Sequence, residues 1–134
     1  MFMENYEDGE LHGVYVQNNP DGKMIVKGQY KNGLKTGPWT EHIWKYFCKG
    51  EYKQSLKQGM WTCYYFNNKK HSEGLFLNGM KEGKHTVYFV NQGVMKVENW
   101  KRGALDGEYL EYNENNDLVF IMKYKMNQPI INVF

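Results

Sequence analysis

The stretch YKNGLKTGPW, from Tyr30 to Trp39, places an aromatic residue ahead of two glycines and a tryptophan. The leading aromatic returns at intervals of 24, 22, 24 and 24 residues, at Tyr6, Tyr30, Tyr52, Phe76 and Trp100. A degraded copy, YKMNQPIINVF, begins 24 residues further on at Tyr124. Self-similarity at so short and regular an interval predicts a repeat array rather than a set of unrelated turns.

Each repeat carries the pattern of a β-hairpin. An alternating run of aromatic and β-branched residues follows the second glycine, then come a polar turn such as NNKK at Asn67 and a second run. Runs of this length bounded by Asn and Gly are typical of antiparallel strands, and no segment has a sustained helical period. The sequence therefore predicts one all-β domain over residues 1–134: an elongated single-layer antiparallel sheet of repeated β-hairpins, with about five repeats and a cap from residue 124. Ten or eleven strands, at ~4.8 Å between neighbours, predict a sheet roughly 50 Å long.

The second repeat is two residues shorter than the others. Gly37 and Gly50 are 13 residues apart, whereas Gly59 and Gly74 are 15 apart. The deletion falls within EHIWKY, which has no Asn-Gly pair. We therefore expect a tighter hairpin turn there, with the register of the sheet unchanged.

A second column of glycines precedes the leading aromatics by two residues. If each strand folds back symmetrically through the two-glycine loop, Gly28 faces Trp39 and Gly50 faces Trp61. A strand position without a side chain lets a large ring lie across it, which offsets the usual cost of glycine in a strand. The same symmetry sets Gly74 against His85, and the pattern decays towards the C-terminus.

The repeated unit Y-x-x-G-x-x-x-G-x-W-x-x-Y resembles the MORN-repeat variant, and more specifically the bacterial YwqK-type antitoxin group. The resemblance covers about residues 6 to 124, and four positions depart from it: Ser55, His85, Asn127 and Ile131. It implies an elongated antiparallel sheet that binds another protein, in bacteria often a toxin. It implies no catalytic residue, because the motif of that family is structural.

Composition excludes several functional classes. Aromatic residues make up 16% of the chain, so rings must supply much of the buried area. A formal charge of +2 gives no argument for binding nucleic acid. No hydrophobic run reaches the length of a membrane helix, and MFMENYEDGE does not have the pattern of a secretion signal. We therefore expect a cytoplasmic protein.

The sequence offers no catalytic, cofactor or metal motif. The four histidines lack metal-ligand spacing, and no glycine-rich loop precedes a helix as a phosphate site would require. His85 stands in the tryptophan column, which favours an aromatic substitute in a core row over a ligand. We therefore predict that the protein is not an enzyme and needs no cofactor.

Cys48 and Cys63 are predicted to lie opposite each other on neighbouring strands, with their side chains on one face. Directly opposed Cβ atoms are ~5 Å apart, which is near disulfide range. In the cytosol a reduced pair filling a small gap is the favoured interpretation, a disulfide is the second, and a two-thiol metal site is the third.

Charge is uneven along the chain. Residues 1–22 carry a net charge of −5, whereas residues 23–60 carry +6. Many of the central lysines fall in loops that a repeat array stacks along one edge, which predicts a basic ridge of Lys31, Lys35, Lys53 and Lys57. One interpretation is that these lysines only keep the exposed edge of the sheet hydrated and prevent it from pairing with another sheet. Alternatively, the ridge contacts an acidic protein or anionic lipid headgroups.

These patterns lead to a hypothesis of binding by an antitoxin or immunity protein. One sheet face carries Trp39 and Trp61, and the other is expected to expose Tyr64, Tyr88 and Tyr112 as anchors for a partner. We expect a protein partner with an acidic patch, such as a toxin, docked on the tyrosines with the lysine ridge at the rim. The alternative is a scaffold module that binds proteins or anionic lipid near a membrane, and a homodimer through the C-terminal tail is a further expectation.

Overall fold

The computed structural model describes residues 2–18, 20, 24–43 and 45–131. These residues form fifteen strands: β1 Phe2–Met3, β2 Tyr6–Glu7, β3 Glu10–Leu11, β4 Gly13–Asn18, β5 Met24–Lys31, β6 Leu34–Ile43, β7 Tyr46–Lys53, β8 Leu56–Tyr65, β9 Lys70–Leu77, β10 Met80–Tyr88, β11 Val94–Lys101, β12 Ala104–Leu105, β13 Gly107–Tyr112, β14 Leu118–Lys125 and β15 Gln128–Pro129. The described chain is all-β, as the sequence predicts.

The strands form one long antiparallel sheet in chain order. The sheet runs β1-β4-β5-β6-β7-β8-β9-β10-β11-β13-β14-β15, with β12 paired beside β11. Strands β2 and β3 form a separate two-stranded hairpin. The count exceeds the predicted ten or eleven because several short segments are separated from the long strands by turns and irregularities. The predicted series of hairpins is confirmed.

The first glycine of each repeat closes a two-residue hairpin turn. Asn32 and Gly33 both have positive φ, 51° and 79°, which matches the twist of the flanking strands. Asn78 and Gly79 repeat this geometry. Two further pairs show that the turn survives substitution of the glycine: Gln54 and Ser55, then Met126 and Asn127, also have positive φ. The departures from the motif at Ser55 and Asn127 therefore change the residue without removing the turn.

The second glycine of each repeat makes a bulge that directs the tryptophan. Lys27 pairs with Thr40 and Gln29 pairs with Thr36, so three residues of β6 stand opposite Gly28 alone. Gly37, in this bulge, has a φ of 67°. The bulge bends β6, so the indole of Trp39 lies across Gly28 on the neighbouring strand.

The core is a row of glycines and rings that runs across the strands. A Cβ at Gly28 would lie 2.0 Å from Trp39 Cδ2, and one at Gly50 would lie 2.2 Å from Trp61 Cδ2. Trp39 also pairs with Gly50 in the neighbouring strand. The two indoles are 2% and 3% exposed. The predicted contacts between these glycines and rings are confirmed. Trp39 lies between Gly28 and Gly50, and Trp61 lies between Gly50 and Gly74.

The shortened repeat has the tighter turn that the sequence predicts. Ile43 pairs with Tyr46, so only two residues connect β6 to β7. The equivalent hairpin between β8 and β9 is longer, since its last pair is Tyr64 with Lys70. Trp44 within the short turn lies outside the described residues.

The described part of the C-terminal tail folds back onto the last hairpin. Tyr124 pairs with Pro129, and the Ile130 amide donates to the Lys123 carbonyl at 2.8 Å. The tail therefore covers one end of the outer edge of β14. Residues 132–134 of the predicted cap lie outside the described residues.

The two-residue turns stack along one edge of the sheet, which we call the turn edge. The amide of each turn donates to a carbonyl of the preceding repeat, in the bonds Gly33 N to Leu11 O (2.8 Å), Gly79 N to Lys57 O (2.9 Å) and Gly103 N to Lys81 O (3.0 Å). This ladder holds lysines of successive repeats side by side.

Candidate protein-binding surface

Aromatic rings form a continuous row on the side of the sheet that carries Trp39 and Trp61, which we call the ring face. Their centroids lie 5.2 Å apart for Tyr30 and Trp39, 5.8 Å for Trp39 and Tyr52, and 5.1 Å for Tyr52 and Trp61, all edge to face. The tyrosines are half-buried beside the buried indoles. Because the sheet has a single layer, the tyrosines present part of their rings to the surroundings.

Three lysines of the turn edge lie over rings of the ring face. Lys35 Nζ is 4.8 Å from the Trp39 centroid, Lys57 Nζ is 4.7 Å from that of Trp61, and Lys81 Nζ is 4.7 Å from that of Trp100. Ammonium groups in this position are attracted to the electron-rich π surface of the aromatic ring. The aliphatic stems can cover apolar surface at the same time.

The predicted basic ridge therefore divides into two sets. Lys31 and Lys53 are exposed, as a solvent-facing ridge requires. Lys35 and Lys57 are half-buried and turn towards the ring face. They turn inward because the hairpin places them beside large rings, which attract the ammonium group.

Glu41 provides a negative charge near this row. Its carboxylate is 3.3 Å from Lys35 Nζ, and its side chain is 15% exposed. Burial, followed by a hydrogen bond to Glu41, raises the pKa of Tyr52 far above its usual value. Tyr52 therefore stays neutral and donates its hydroxyl hydrogen to the carboxylate.

Lys57 is a cation without a matching anion among the described residues. No carboxylate in those residues forms an ion pair with it. Burial lowers the pKa of Lys57, Glu41 opposes that shift, and the positive charges of Lys35 and Lys81 add to it. An additional anion near Lys57 would be electrostatically favourable.

The three tyrosines predicted as anchors share the face opposite the ring face, but they are half-buried rather than exposed. Tyr64 stacks on Phe47 at 5.2 Å, and the Tyr88 hydroxyl donates to Glu73 Oε1 at 2.7 Å. Burial, then this hydrogen bond, raises the pKa of Tyr88. The expected exposure is wrong for Tyr64 and Tyr88 because side chains of neighbouring strands pack against their rings. Phe66, which the sequence also places on that face, is 61% exposed and is the more open ring.

The structure does not bring the predicted lysines and tyrosines together. Lys57 pairs with Tyr52 near the turn edge, whereas Tyr64 pairs with Phe47 near the other end of β8. Their partners on β7 are five residues apart, so Lys57 and Tyr64 are separated by ~17 Å at ~3.3 Å per residue. Tyr112 lies further along the sheet, in β13. Lys35 and Lys57 turn to the ring face while the tyrosines lie on the opposite face, so these two lysines do not border the tyrosines. Docking of a partner on the tyrosines stays a prediction.

Cys48 and Cys63 pair directly across β7 and β8, as predicted. They form a disulfide, so the favoured interpretation of a reduced pair is wrong. Directly opposed residues on one face stand close enough for their sulfurs to bond. The disulfide packs in the ring-face core with Trp39 and Trp61.

A cleft of about 300 Å³ opens on the ring face beside His85, and we call it the His85 cleft. His85 is 7% exposed, its Nε2 lies 2.7 Å from the Leu75 carbonyl, and its Nδ1 would lie 2.1 Å from a Cβ at Gly74. It therefore fills the tryptophan position, as predicted. Six of the lining side chains are Lys57, Trp61, Phe76, Lys81, Lys96 and Glu98.

The polar groups of the cleft have distinct charge states. Burial lowers the pKa of both His85 and His71, so both imidazoles are neutral at neutral pH. Lys96 Nζ lies 3.8 Å from Glu98 Oε1, which pairs these two charges. No group of three or more metal-ligating side chains occurs among the described residues. The remaining positive charges at the cleft are those of Lys57 and Lys81.

Among the residues that the structure covers, no helix is long and apolar enough to cross a membrane. No protein-family model matches the chain, and no curated protein matches it either.

Proposed function

We propose that this chain is a non-catalytic protein-binding module whose ring face contacts the partner. The observation that carries the proposal is the row of half-buried rings, among them Tyr30 and Tyr52, on one side of a single-layer sheet. Tyrosine and tryptophan are enriched in the centres of protein interfaces, where they bury large area at low entropic cost.

The rings of the central repeats are held rigidly. Trp39 lies between two glycines, and its Nε1 donates to the Gln29 carbonyl at 3.2 Å. Trp61 Nε1 donates to the Glu51 carbonyl at 3.1 Å. Tyr30 and Tyr52 pack edge to face against these fixed indoles, so they lose little further freedom on binding, which favours them as anchors.

The partner that we propose is a toxin, and the chain acts as its antitoxin or immunity protein. The resemblance of the repeated motif to the MORN-variant YwqK-type group supports this choice. The lysines of the turn edge favour a partner with an acidic patch. They would accelerate association and lose effect as salt is added.

Reconstitution tests the proposal. Complexes isolated from the native organism would be identified by mass spectrometry, and the partner would be produced in a bacterial host with and without this chain. We expect the partner alone to arrest growth, co-expression to restore it, and the two purified proteins to form a stable complex. A partner without effect on growth would contradict the antitoxin role, and failure to form any complex would contradict protein binding.

The turn edge favours a second candidate function, which is a scaffold module at an anionic membrane surface. Leu34, Leu56 and Met80 are 43%, 47% and 45% exposed there, next to the exposed Lys31 and Lys53. Apolar side chains interleaved with lysines suit a surface of anionic headgroups.

Liposome flotation tests this second function. Binding to vesicles that contain phosphatidylserine, but not to pure phosphatidylcholine, would support it. The variant Lys31→Glu/Lys53→Glu should then lose binding. The control Lys27→Glu/Lys49→Glu, with the same charge change at exposed positions within strands, should keep more of it. Equal flotation of the two variants would exclude the turn edge as the surface that binds the membrane.

A further inference from the structure

We propose that the His85 cleft receives an aromatic side chain of the partner protein, with an acidic residue beside that side chain in the partner contacting Lys57 and Lys81. This inference rests on the proposed protein-binding function, because it names the anchor by which the partner would be held. It adds the site and the chemistry of the contact.

The cleft lies where the repeat pattern is interrupted. In the preceding repeats an indole fills the space between two glycines, as Trp61 does between Gly50 and Gly74. In the next repeat His85 takes the ring position, and its neighbour on β11 is Glu98 instead of glycine. An imidazole is smaller than an indole, so the cleft opens where the larger ring would extend.

The walls of the cleft suit an aromatic ring. Trp61, Phe76 and the Cys48–Cys63 disulfide contribute apolar surface to the walls. Gly74 also lines the cleft and, having no side chain, takes up no space in it. A volume of about 300 Å³ is at the lower end of the range for ligand pockets, which is ~300–1,000 Å³. Ring edges and faces in such a site can pack in the offset and edge-to-face arrangements that aromatic pairs prefer.

The charges at the cleft specify the neighbouring residue of the partner. Lys57 and Lys81 both line the cleft, and neither forms an ion pair within the described residues. Lys96, in contrast, already has Glu98. A carboxylate beside the inserted ring would lie near two unmatched cations in a partly dehydrated site, where charge-assisted hydrogen bonds are stronger than in water.

The lowered pKa of Lys57 agrees with this geometry. Burial is the largest cause of the shift, the Glu41 carboxylate opposes it, and the like charges of Lys35 and Lys81 add to it. A partner carboxylate would offset both effects and favour the charged lysine.

The probe for the test is the capped peptide acetyl-Asp-Trp-Asp-amide. Its controls are acetyl-Asp-Ala-Asp-amide, which lacks the ring, and acetyl-Asn-Trp-Asn-amide, which lacks the charge. Titration would be followed by the backbone amide NMR signals of the intact chain. We expect the largest shifts in β9 to β11 around His85, with each control peptide at least tenfold weaker.

The variant His85→Trp/Glu98→Gly closes the cleft by restoring the pattern of the preceding repeats. It should fold, because Trp61 shows that an indole fits between two glycines. Glu98→Gly alone is the matched control, since it removes the Lys96 ion pair and leaves the cleft open. We expect the closed variant to bind the probe at least tenfold more weakly than the control. Lys57→Met/Lys81→Met should weaken it similarly while keeping the stems over the rings.

Two results would overturn the inference: peptide shifts that map elsewhere on the chain, or equal binding by the closed variant and its control. The purified partner separates this failure from failure of the proposed function. If the closed variant binds the partner as tightly as the control does, the cleft is not the anchor, although protein binding stands. If no partner binds the unmodified chain, protein binding fails, and the peptide titration still decides whether the cleft accepts this chemistry.

Discussion

Substitution of Gly50 by alanine should strongly destabilise the protein. A Cβ at Gly50 would lie 2.2 Å from Trp61 Cδ2 and 2.3 Å from Cε2, so the buried indole must move. The indole is 3% exposed and packs edge to face against Tyr52 at 5.1 Å, so any movement disrupts contacts of the core. Movement would also break the hydrogen bond from Trp61 Nε1 to the Glu51 carbonyl.

The size of the effect follows from three contributions. Overpacking costs about 1–3 kcal/mol. A buried indole N–H left without its acceptor costs about 1–3 kcal/mol more. Alanine opposes these losses by restricting the unfolded chain, which is worth about 0.4–1 kcal/mol. The net loss is therefore about 1–5.6 kcal/mol, and at roughly 3.5 °C per kcal/mol for a chain of this length Tm should fall by roughly 4–20 °C.

Urea unfolding followed by circular dichroism measures this loss. Gly93→Ala is the control, because Gly93 lies in a loop and its closest neighbour is the end of the Asn91 side chain, 3.1 Å from the added Cβ. We expect the control to change the free energy of unfolding by less than about 1 kcal/mol. An alanine at position 50 that leaves stability unchanged, or raises it, would refute the contact between this glycine and the indole.

Three other perturbations test the core, the cleft and the cap. Reduction of the Cys48–Cys63 disulfide, which spans 15 residues, should lower the free energy of unfolding by up to ~3 kcal/mol, and equal urea midpoints with and without dithiothreitol would contradict this. Because burial lowers the pKa of His85, its stabilising effect is complete above the unfolded value of about 6.5 and is lost as pH falls towards the folded pKa. His85→Phe should therefore reduce the loss of stability between pH 7.5 and 5.5, and an unchanged slope would exclude this histidine as a cause. Deletion of residues 128–134 should lower Tm and promote self-association by uncovering the end of β14, and scattering and melting curves that match the full chain would contradict the role of the tail as a cap.

The repeat interval predicts most of the fold, because each turn and strand that it marks is set by residues close together in the sequence. Turn chemistry at Asn32 and Gly33 sets each hairpin, and the length between glycines sets the register. The contact of Gly28 with Trp39 and the pairing of Cys48 with Cys63 follow from that register.

The site is harder to predict because it depends on the direction of side chains. From the sequence, Lys57 is expected to be a solvated lysine beside a turn. In the structure its ammonium group lies over the Trp61 ring, a position that depends on the arrangement of the neighbouring rings. His85 marks the correct core column, yet the cleft beside it depends on the volume of the indole that it replaces and on Glu98 across the strand. A disulfide is not the first expectation for a cysteine pair in a cytoplasmic protein, but Cys48 and Cys63 stand directly opposite each other and bond.

Photo-crosslinking from the two sides of the sheet tests most directly whether the ring face binds the partner. A photoreactive phenylalanine would replace Ser72, which lines the His85 cleft, or Met60, which is exposed on the opposite face. Both variants would be irradiated in the native organism and compared with unirradiated samples. The proposed function predicts one dominant protein adduct from position 72 and none from position 60. The same adduct formed from position 60 alone would contradict binding through the ring face.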